Sequence, residues 1–142
     1  MTPKVSVIIV NYNGKKWLKP CLDSLSKQIY KNFEIIVVDN NSNDGSVAYL
    51  NKNHPKVITF QSKKNVGFSE GNNNGYKLAK GQYIILLNND TIVEDNFIKN
   101  LLEAYEENPH AAIIQPKIFT CSSLISLIHV VLIGRIHLFF IM

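Results

Sequence analysis

Three clusters of polar residues each follow an apolar run, and their side chains are the ones that could do chemistry. The clusters are residues 11–13 (Asn-Tyr-Asn), 39–44 (Asp-Asn-Asn-Ser-Asn-Asp) and 88–90 (Asn-Asn-Asp). Asn and Asp are also common in ordinary turns, so any one cluster alone is best explained as a turn. Three such clusters in one short chain, two of them with carboxylates, instead indicate a binding site.

The carboxylates in these clusters suit two different ligands. Asp39 directly follows an apolar run, where it can accept hydrogen bonds from a nucleobase N–H or a ribose hydroxyl. Asp90, next to two asparagines, offers the hard oxygen ligands that bind Mg²⁺ or Mn²⁺ together with substrate phosphates. Such a metal would offset the charge that develops as a diphosphate leaves. The four histidines show no ligand spacing, so we do not expect zinc.

A further polar segment, residues 65–75 (NVGFSEGNNNG), lies between the second and third clusters. It places glycines and side-chain amides at the start of a predicted helix, where backbone donors can face an anion or a sugar. It lacks the spacing and the lysine of phosphate-binding loops. A plain glycine-rich loop is the alternative interpretation.

Alternating strands and helices are predicted to position these clusters. The strands are predicted at residues 5–10, 33–38, 57–60, 83–87 and 112–114, and the helices at 17–25, from a cap at Ser42, Asn43 or Asp44 to about 53, 69–79 and 97–105. Continuous rather than alternating hydrophobicity in the strands predicts an α/β fold whose mostly parallel sheet has helices on both faces. The carboxyl ends of parallel strands meet at one edge, so the clusters should converge there.

The composition is that of one globular domain in a reducing compartment. The chain has 142 residues, 46% of them hydrophobic, and a net charge of +4 carried by scattered lysines, so no nucleic-acid partner is expected. Cys21 and Cys121 form neither a CxxC pair nor a disulfide framework, which fits a cytoplasmic location.

Four motifs in order, VSVIIVNYN, VVDNNSNDGS, NVGFSEGNNNGY and LLNND, resemble the N-terminal donor-binding part of family 2 glycosyltransferases, in particular their rhamnosyltransferase-like branch. The resemblance covers residues 4–118. It implies a GT-A (Rossmann-like) fold and an inverting, metal-dependent transfer of sugar from a UDP- or dTDP-sugar to a glycan or lipid-linked acceptor. It also implies Mn²⁺ or Mg²⁺ as cofactor and a role in cell-envelope polysaccharide synthesis, which is compatible with peripheral association at the inner face of the membrane.

The same resemblance assigns roles to individual residues. The nucleotide-binding set is Asn11, Tyr12, Asp39, Asp44 and Asn88; the donor-sugar set is Asn65, Gly67, Asn72 and Asn89; the metal ligand is Asp90. Asn88 stands where the family's DxD motif has its first aspartate, which leaves a metal with fewer charged ligands. The family's catalytic base belongs to the acceptor-binding half, so we assign no base; Glu94 and Asp95 more simply favour the dipole of the helix that follows.

The predicted donor-binding domain, residues 1–118, is followed by a different kind of sequence. Residues 119–142 are almost entirely apolar and have no helical or strand period, and the acceptor part that the resemblance predicts does not follow. A frameshift or premature stop is the explanation we favour; a membrane anchor and a sequence error are the others. The tail is long enough to span a bilayer, although Arg135 opposes insertion.

Other functional classes remain as alternatives. The first is a truncated, catalytically inactive fragment that still binds nucleotide. The second is a different nucleotide-dependent α/β enzyme, which the absence of phosphate-loop fingerprints opposes. The third, a membrane-associated fragment, depends on the apolar tail alone.

Overall fold

A computed structural model describes residues 2–116 and the backbone of 131–134. The strands are β1 (Val5–Asn11), β2 (Phe33–Asp39), β3 (Ile58–Gln61), β4 (Tyr83–Asn88), β5 (Ile113–Ile114) and β6 (Val131–Gly134). The helices are α1 (Lys15–Ser26), α2 (Ser46–Asn53), α3 (Gly67–Leu78) and α4 (Phe97–Glu107). The predicted alternation of strands and helices is confirmed, with bounds that differ by a few residues.

The sheet has the strand order β3-β2-β1-β4-β6-β5, and β1 to β4 run parallel. β2 and β4 lie on opposite sides of β1, so the chain reverses the direction of strand addition there. Open α/β sheets bind ligands at the carboxyl ends of the strands beside such a reversal. The register places Asn11 opposite Asp39 and Val10 opposite Asn88, which brings the ends of the three strands level.

The two faces of the sheet bury separate apolar clusters. Val7 and Ile9 of β1 point to the face covered by α1 and α4, and Ile8 points to the opposite face, covered by α3. Successive strand residues alternate between faces, which explains why β1 must be apolar at nearly every position. The predicted two-sided coverage of the sheet is therefore confirmed.

Two glycines let α3 lie directly against β1. A Cβ at Gly75 would lie 2.4 Å from the Ile8 side chain, and one at Gly71 would lie 2.8 Å from the Val10 side chain. Glycine inside a helix costs about 1 kcal/mol relative to alanine. Here that cost accompanies a close helix–strand contact, which brings the first turn of α3 to the carboxyl edge of the sheet.

The C-terminal part of the sheet differs from the sequence prediction. β5 is shorter than predicted and pairs antiparallel with β6, which in turn pairs antiparallel with β4. β6 comes from the predicted apolar tail; the rest of that tail, including Cys121 and Arg135, lies outside the described residues. The boundary after residue 118 stays a prediction. Within the described residues, no helix has both the length and the apolar character needed to cross a membrane.

Candidate functional site

Asn11 joins the carboxyl ends of three strands. Its Nδ2 donates a hydrogen bond to Asp39 Oδ2 (2.9 Å), and its Oδ1 accepts one from Asn89 Nδ2 (2.9 Å). The Asn11 side chain is completely buried, and its carbonyl oxygen accepts the amide of Asn40 at 2.8 Å. An amide side chain can bind Asp39 and Asn89 at the same time because it carries a donor and an acceptor side by side. The structure thus brings the three predicted clusters together.

Asp39 is a buried carboxylate that organises the turn after β2. Its Oδ1 accepts the amide of Ser42 at 2.8 Å, while Oδ2 is occupied by Asn11. These hydrogen bonds offset part of the cost of burying a carboxylate. Each oxygen keeps further lone-pair capacity for a nucleobase. Because Asp39 is 0% exposed, a base can reach it only if the neighbouring turn opens.

The turns after β1 and β2 are fastened to each other. Asn13 Oδ1 accepts the amide of Asn43 (2.9 Å), and Ser42 Oγ accepts the amide of Asn13 (2.8 Å). Asn13 and Asn41 have positive φ angles of 49° and 64°, a conformation that Asn adopts more readily than most residues. Strained backbone of this kind is often found at ligand sites. Sequence reasoning missed the contribution of Asn13 and Ser42, because Asn-rich turns are common.

Gly14 provides the space in which Asn11 and Asn89 meet. A Cβ at this position would lie 2.2 Å from Asn89 Nδ2 and 2.5 Å from Asn11 Oδ1. Any other residue would therefore force these two side chains apart. From the sequence, Gly14 is predicted only to be a turn residue. Nothing nearby in the sequence indicates its contact with Asn89, 75 positions away.

Asp44 supports the starts of two helices, and its predicted contact with the nucleotide stays a prediction. Its Oδ2 accepts the amide of Lys15 in α1 (2.8 Å), and its Oδ1 accepts the amide (3.0 Å) and hydroxyl of Ser46 in α2. Burial favours a higher pKa for Asp44, but these hydrogen bonds outweigh it and lower the pKa. None of these contacts joins Asp44 to Asn11, Asp39 or Asn89. The N-cap of α2 is Gly45, at φ 82°, rather than one of the three predicted residues.

The predicted donor-sugar loop is attached to the end of β2. Asn40 Nδ2 donates to the carbonyl of Gly67 at 2.9 Å, and Asn65 Oδ1 accepts the Gly67 amide at 2.9 Å. Gly67 has a φ of 81°, which explains why this position is glycine. Asn72 is buried and donates to the carbonyl of Phe68 (3.0 Å), so its amide supports the first turn of α3.

Two aromatic side chains are exposed next to these anchored segments. Tyr12, which follows Asn11, is 52% exposed, and Phe68, which follows Gly67, is 48% exposed. An exposed ring beside buried polar groups provides a face on which a nucleobase can stack. The family resemblance includes Tyr12 in the nucleotide-binding set; it assigns no role to Phe68, whose exposure is a tertiary property.

Asp90 is exposed on the carboxyl edge, next to the half-buried Asn88 and Asn89. Within residues 2–116, no group of three or more His, Cys, Asp or Glu side chains could hold a metal ion. Asp90 could supply one carboxylate to a divalent cation that takes further ligands from phosphates and water, a common arrangement for Mg²⁺. The hydroxyl of the adjacent Thr91 is buried without a hydrogen-bond partner. The residues present fit a cation held largely by its substrate.

Cys21 lies near this motif but has a structural role. It is completely buried, and its Sγ lies 3.8 Å from the carbonyl oxygen of Asn88. Burial, and to a smaller extent the negative charge of Asp90, raises the pKa of the Cys21 thiol to about 12. The thiol is therefore protonated at neutral pH, and thiolate is the form that binds metals.

A depression of about 590 Å³ lies at the opposite edge of the sheet, near Pro3, Phe33 and Lys80. It contains none of the predicted site residues. Since open parallel sheets bind their ligands at the carboxyl edge, we assign the candidate site to the carboxyl edge around Asn11 and not to this depression.

Comparisons with known protein sequences point to one family. The family described as "Glycosyl transferase family 2" matches residues 6–129. Among curated proteins, glycosyltransferase GlyG of Streptococcus pneumoniae is 33% identical over 118 residues, covering 80% of this chain and 39% of GlyG. GlyA of the same organism is 31% identical over 106 residues, covering 73% of this chain and 15% of GlyA. The chain thus spans well under half the length of these relatives.

Solved structures agree with the sequence relatives. S. aureus TarS 1–349 in complex with UDP-GlcNAc superposes with a TM-score of 0.77 at 26% identity, covering 85% of this chain and 36% of the TarS 1–349 chain. The Pyrobaculum calidifontis mannosyltransferase PcManGT has a TM-score of 0.66 at 23% identity, covering 74% of this chain and 33% of PcManGT, and shares the fold.

Proposed function

This chain belongs to glycosyl transferase family 2. From that premise we propose that the candidate site at the carboxyl edge of its sheet binds a nucleotide-sugar donor for transfer to a glycan or lipid-linked acceptor. The similarity to a TarS structure that contains UDP-GlcNAc supports a uridine nucleotide as carrier, with dTDP as the alternative. A cytoplasmic location, at the inner membrane face for a lipid-linked acceptor, is part of the same proposal. Membership of the rhamnosyltransferase-like branch stays a prediction.

The observation that carries the proposal is the bridging position of Asn11. One buried side chain contacts both Asp39, in the proposed base pocket, and Asn89, beside the proposed metal ligand. A nucleoside diphosphate has a base at one end and metal-binding phosphates at the other. The bridge supports the proposal because the two groups of residues that such a ligand would contact lie next to each other.

We propose the following roles for residues of this chain. Tyr12 stacks on the base, and Asp39 accepts its N–H once the neighbouring turn opens. Asn88 and Asn89 face the ribose and the donor sugar, and the segment containing Asn65 and Gly67 borders that sugar. Asp90 holds Mg²⁺ or Mn²⁺, which when bound would neutralise the diphosphate charge. The inverting displacement needs a base that removes the acceptor proton, and none of the described residues is assigned to it.

Calorimetric titration of UDP and dTDP into the full chain, with and without Mn²⁺, tests this proposal. We expect Mn²⁺ to strengthen binding, and Asp90→Ala to abolish that gain, because the variant removes the protein's carboxylate ligand. Asp90 is exposed, so its loss should change the free energy of unfolding by no more than about 0.5 kcal/mol.

Asp95→Ala is the matched control, since it removes an exposed carboxylate from the same connecting segment without touching the proposed metal position. It should keep the effect of Mn²⁺. A folded wild-type chain that binds neither nucleotide would refute the donor site. The alternative of a nucleotide-binding chain without activity predicts the same titration, and a sugar-transfer assay separates the two.

A further inference from the structure

A group of buried polar contacts joins α1 to the segment that follows β4. This segment, residues 89–96, connects β4 to α4 without helix or strand. Cys21, Ser24 and Gln28 lie three and four positions apart at the end of α1 and just beyond it, the spacing that places side chains on one side of a helix. Cys21 contacts the Asn88 carbonyl just before the segment, and Ser24 and Gln28 contact backbone groups within it.

Ser24 and Gln28, here called the α1 clamp, satisfy backbone groups of the segment. Ser24 Oγ accepts the amide of Val93 at 3.2 Å. Gln28 is completely buried; its Nε2 donates to the carbonyl of Glu94 at 2.6 Å, and its Oε1 accepts the amide of Ile98 at 3.0 Å. Buried backbone groups outside regular structure need such partners, and here side chains of another element supply them.

The clamp determines the course of the chain next to Asp90. The Asn88 carbonyl before Asp90 contacts Cys21, and the Val93 amide after it contacts Ser24, so Asp90 lies on a short bend attached to α1 at both ends. Asn89 within the bend is also bound to Asn11. The exposed carboxylate therefore projects from a backbone that buried contacts hold in place.

We propose that Ser24 and Gln28 are positioning residues that set the place of the Asp90 carboxylate and so tune divalent-cation binding at the donor site. The inference rests on the proposed function. Groups that orient a metal ligand without touching the metal commonly change its affinity when removed. If the clamp only stabilised the fold, its removal would lower the free energy of unfolding and leave the effect of Mn²⁺ on nucleotide binding unchanged.

The test measures the ratio of UDP affinity with Mn²⁺ to UDP affinity without it, in the full chain. Ser24→Ala removes the acceptor for Val93, and Gln28→Met removes the amide at similar size. We expect each to reduce the ratio by about tenfold, near the lower end of such effects, while metal-free UDP affinity stays the same. Ser24→Thr, which keeps the hydroxyl, should restore most of the ratio.

Ile36→Ala is the control for a loss of stability alone, because Ile36 is buried in the cluster on the opposite face of the sheet. It should lower stability and keep the ratio. An unchanged ratio in a folded Ser24→Ala chain would overturn the inference, as would an equal loss in Ile36→Ala. A wild-type chain that binds UDP with no effect of Mn²⁺ would instead refute the metal part of the proposed function, and the inference with it.

Discussion

The two halves of the candidate site are built in different ways. In the half formed by the ends of β1 and β2, Asn11 and Asp39 are completely buried and the two turns are fastened to each other by side chains. In the half formed by the end of β4, the proposed metal ligand, Asp90, is exposed. The backbone on either side of Asp90 contacts Cys21 and Ser24 of α1, and the side chain of Asn89 contacts Asn11.

This difference suggests how binding free energy is divided between the halves. In the first half, a base must displace part of a hydrogen-bonded turn to reach Asp39, so the groups that would bind the base also hold the fold. An exposed carboxylate gains strength only when a cation and a diphosphate complete its surroundings. We therefore expect changes in the first half to affect folding and binding together, and changes in the second half to affect mainly the metal-dependent part of binding.

The largest effect should come from Asp39→Asn, which places an amide NH₂ against one of two donors, the Ser42 amide or Asn11 Nδ2. Asn11 can respond only by rotating its own amide, which withdraws its oxygen from Asn89. Leaving such buried groups unpaired costs about 3 kcal/mol. Urea unfolding followed by circular dichroism should show this loss, and calorimetry should show loss of UDP binding.

Glu34→Ala is the control for that variant. Glu34 Oε1 accepts both the Ser6 hydroxyl (2.6 Å) and the Lys80 amide (2.7 Å), at the opposite edge of the sheet. Because a glutamine oxygen could accept both bonds, the side chain is removed; the variant should lose stability and keep UDP binding. Equal loss of binding in both variants would mean that Asp39 acts through stability alone.

Gly14→Ala should have an intermediate effect, because it separates the two halves. The new Cβ would displace Asn89 from Asn11, and overpacking of this kind typically costs about 1–3 kcal/mol. We expect metal-free UDP binding to survive better than the gain produced by Mn²⁺. Gly81→Ala is the control for overpacking elsewhere, since its Cβ would lie 2.5 Å from the Ser6 amide nitrogen, away from the candidate site. If Gly81→Ala reduced the Mn²⁺ gain equally, the two halves would not be coupled through Gly14.

The smallest effect should be the pH dependence contributed by Asp44. The folded-state pKa of Asp44 is lowered from 3.8, so its hydrogen bonds to Lys15 and Ser46 add stability above that pH and lose it as the pH falls through the folded-state value. At pH 7 we expect Asp44→Asn to cost about 1 kcal/mol. In urea unfolding, wild type and variant should converge as the pH falls below the folded-state pKa of Asp44. A constant difference across this range would show that Asp44 does not titrate as described.

The sequence alone determined the order of the elements and the place of the polar clusters. Apolar runs such as Val5–Asn11 and Phe33–Asp39, each ending in polar residues, specify buried strands because hydrophobic period and turn chemistry are local properties. The predicted convergence at the carboxyl edge followed from the parallel order of these strands. Asn11, Asp39, Asn89 and Asp90 accordingly lie on the edge where the sequence predicted them.

Only the tertiary structure decided which of these residues touch. Asn11 meets a partner 28 positions away and another 78 positions away, and Gly14, Ser24 and Gln28 matter because of distant neighbours. Asp44 proved to hold helix starts, and β6 took a position between β4 and β5 from a stretch without strand period. Such outcomes depend on packing and on satisfying buried polar groups across the whole fold. Local propensity carries no record of these requirements.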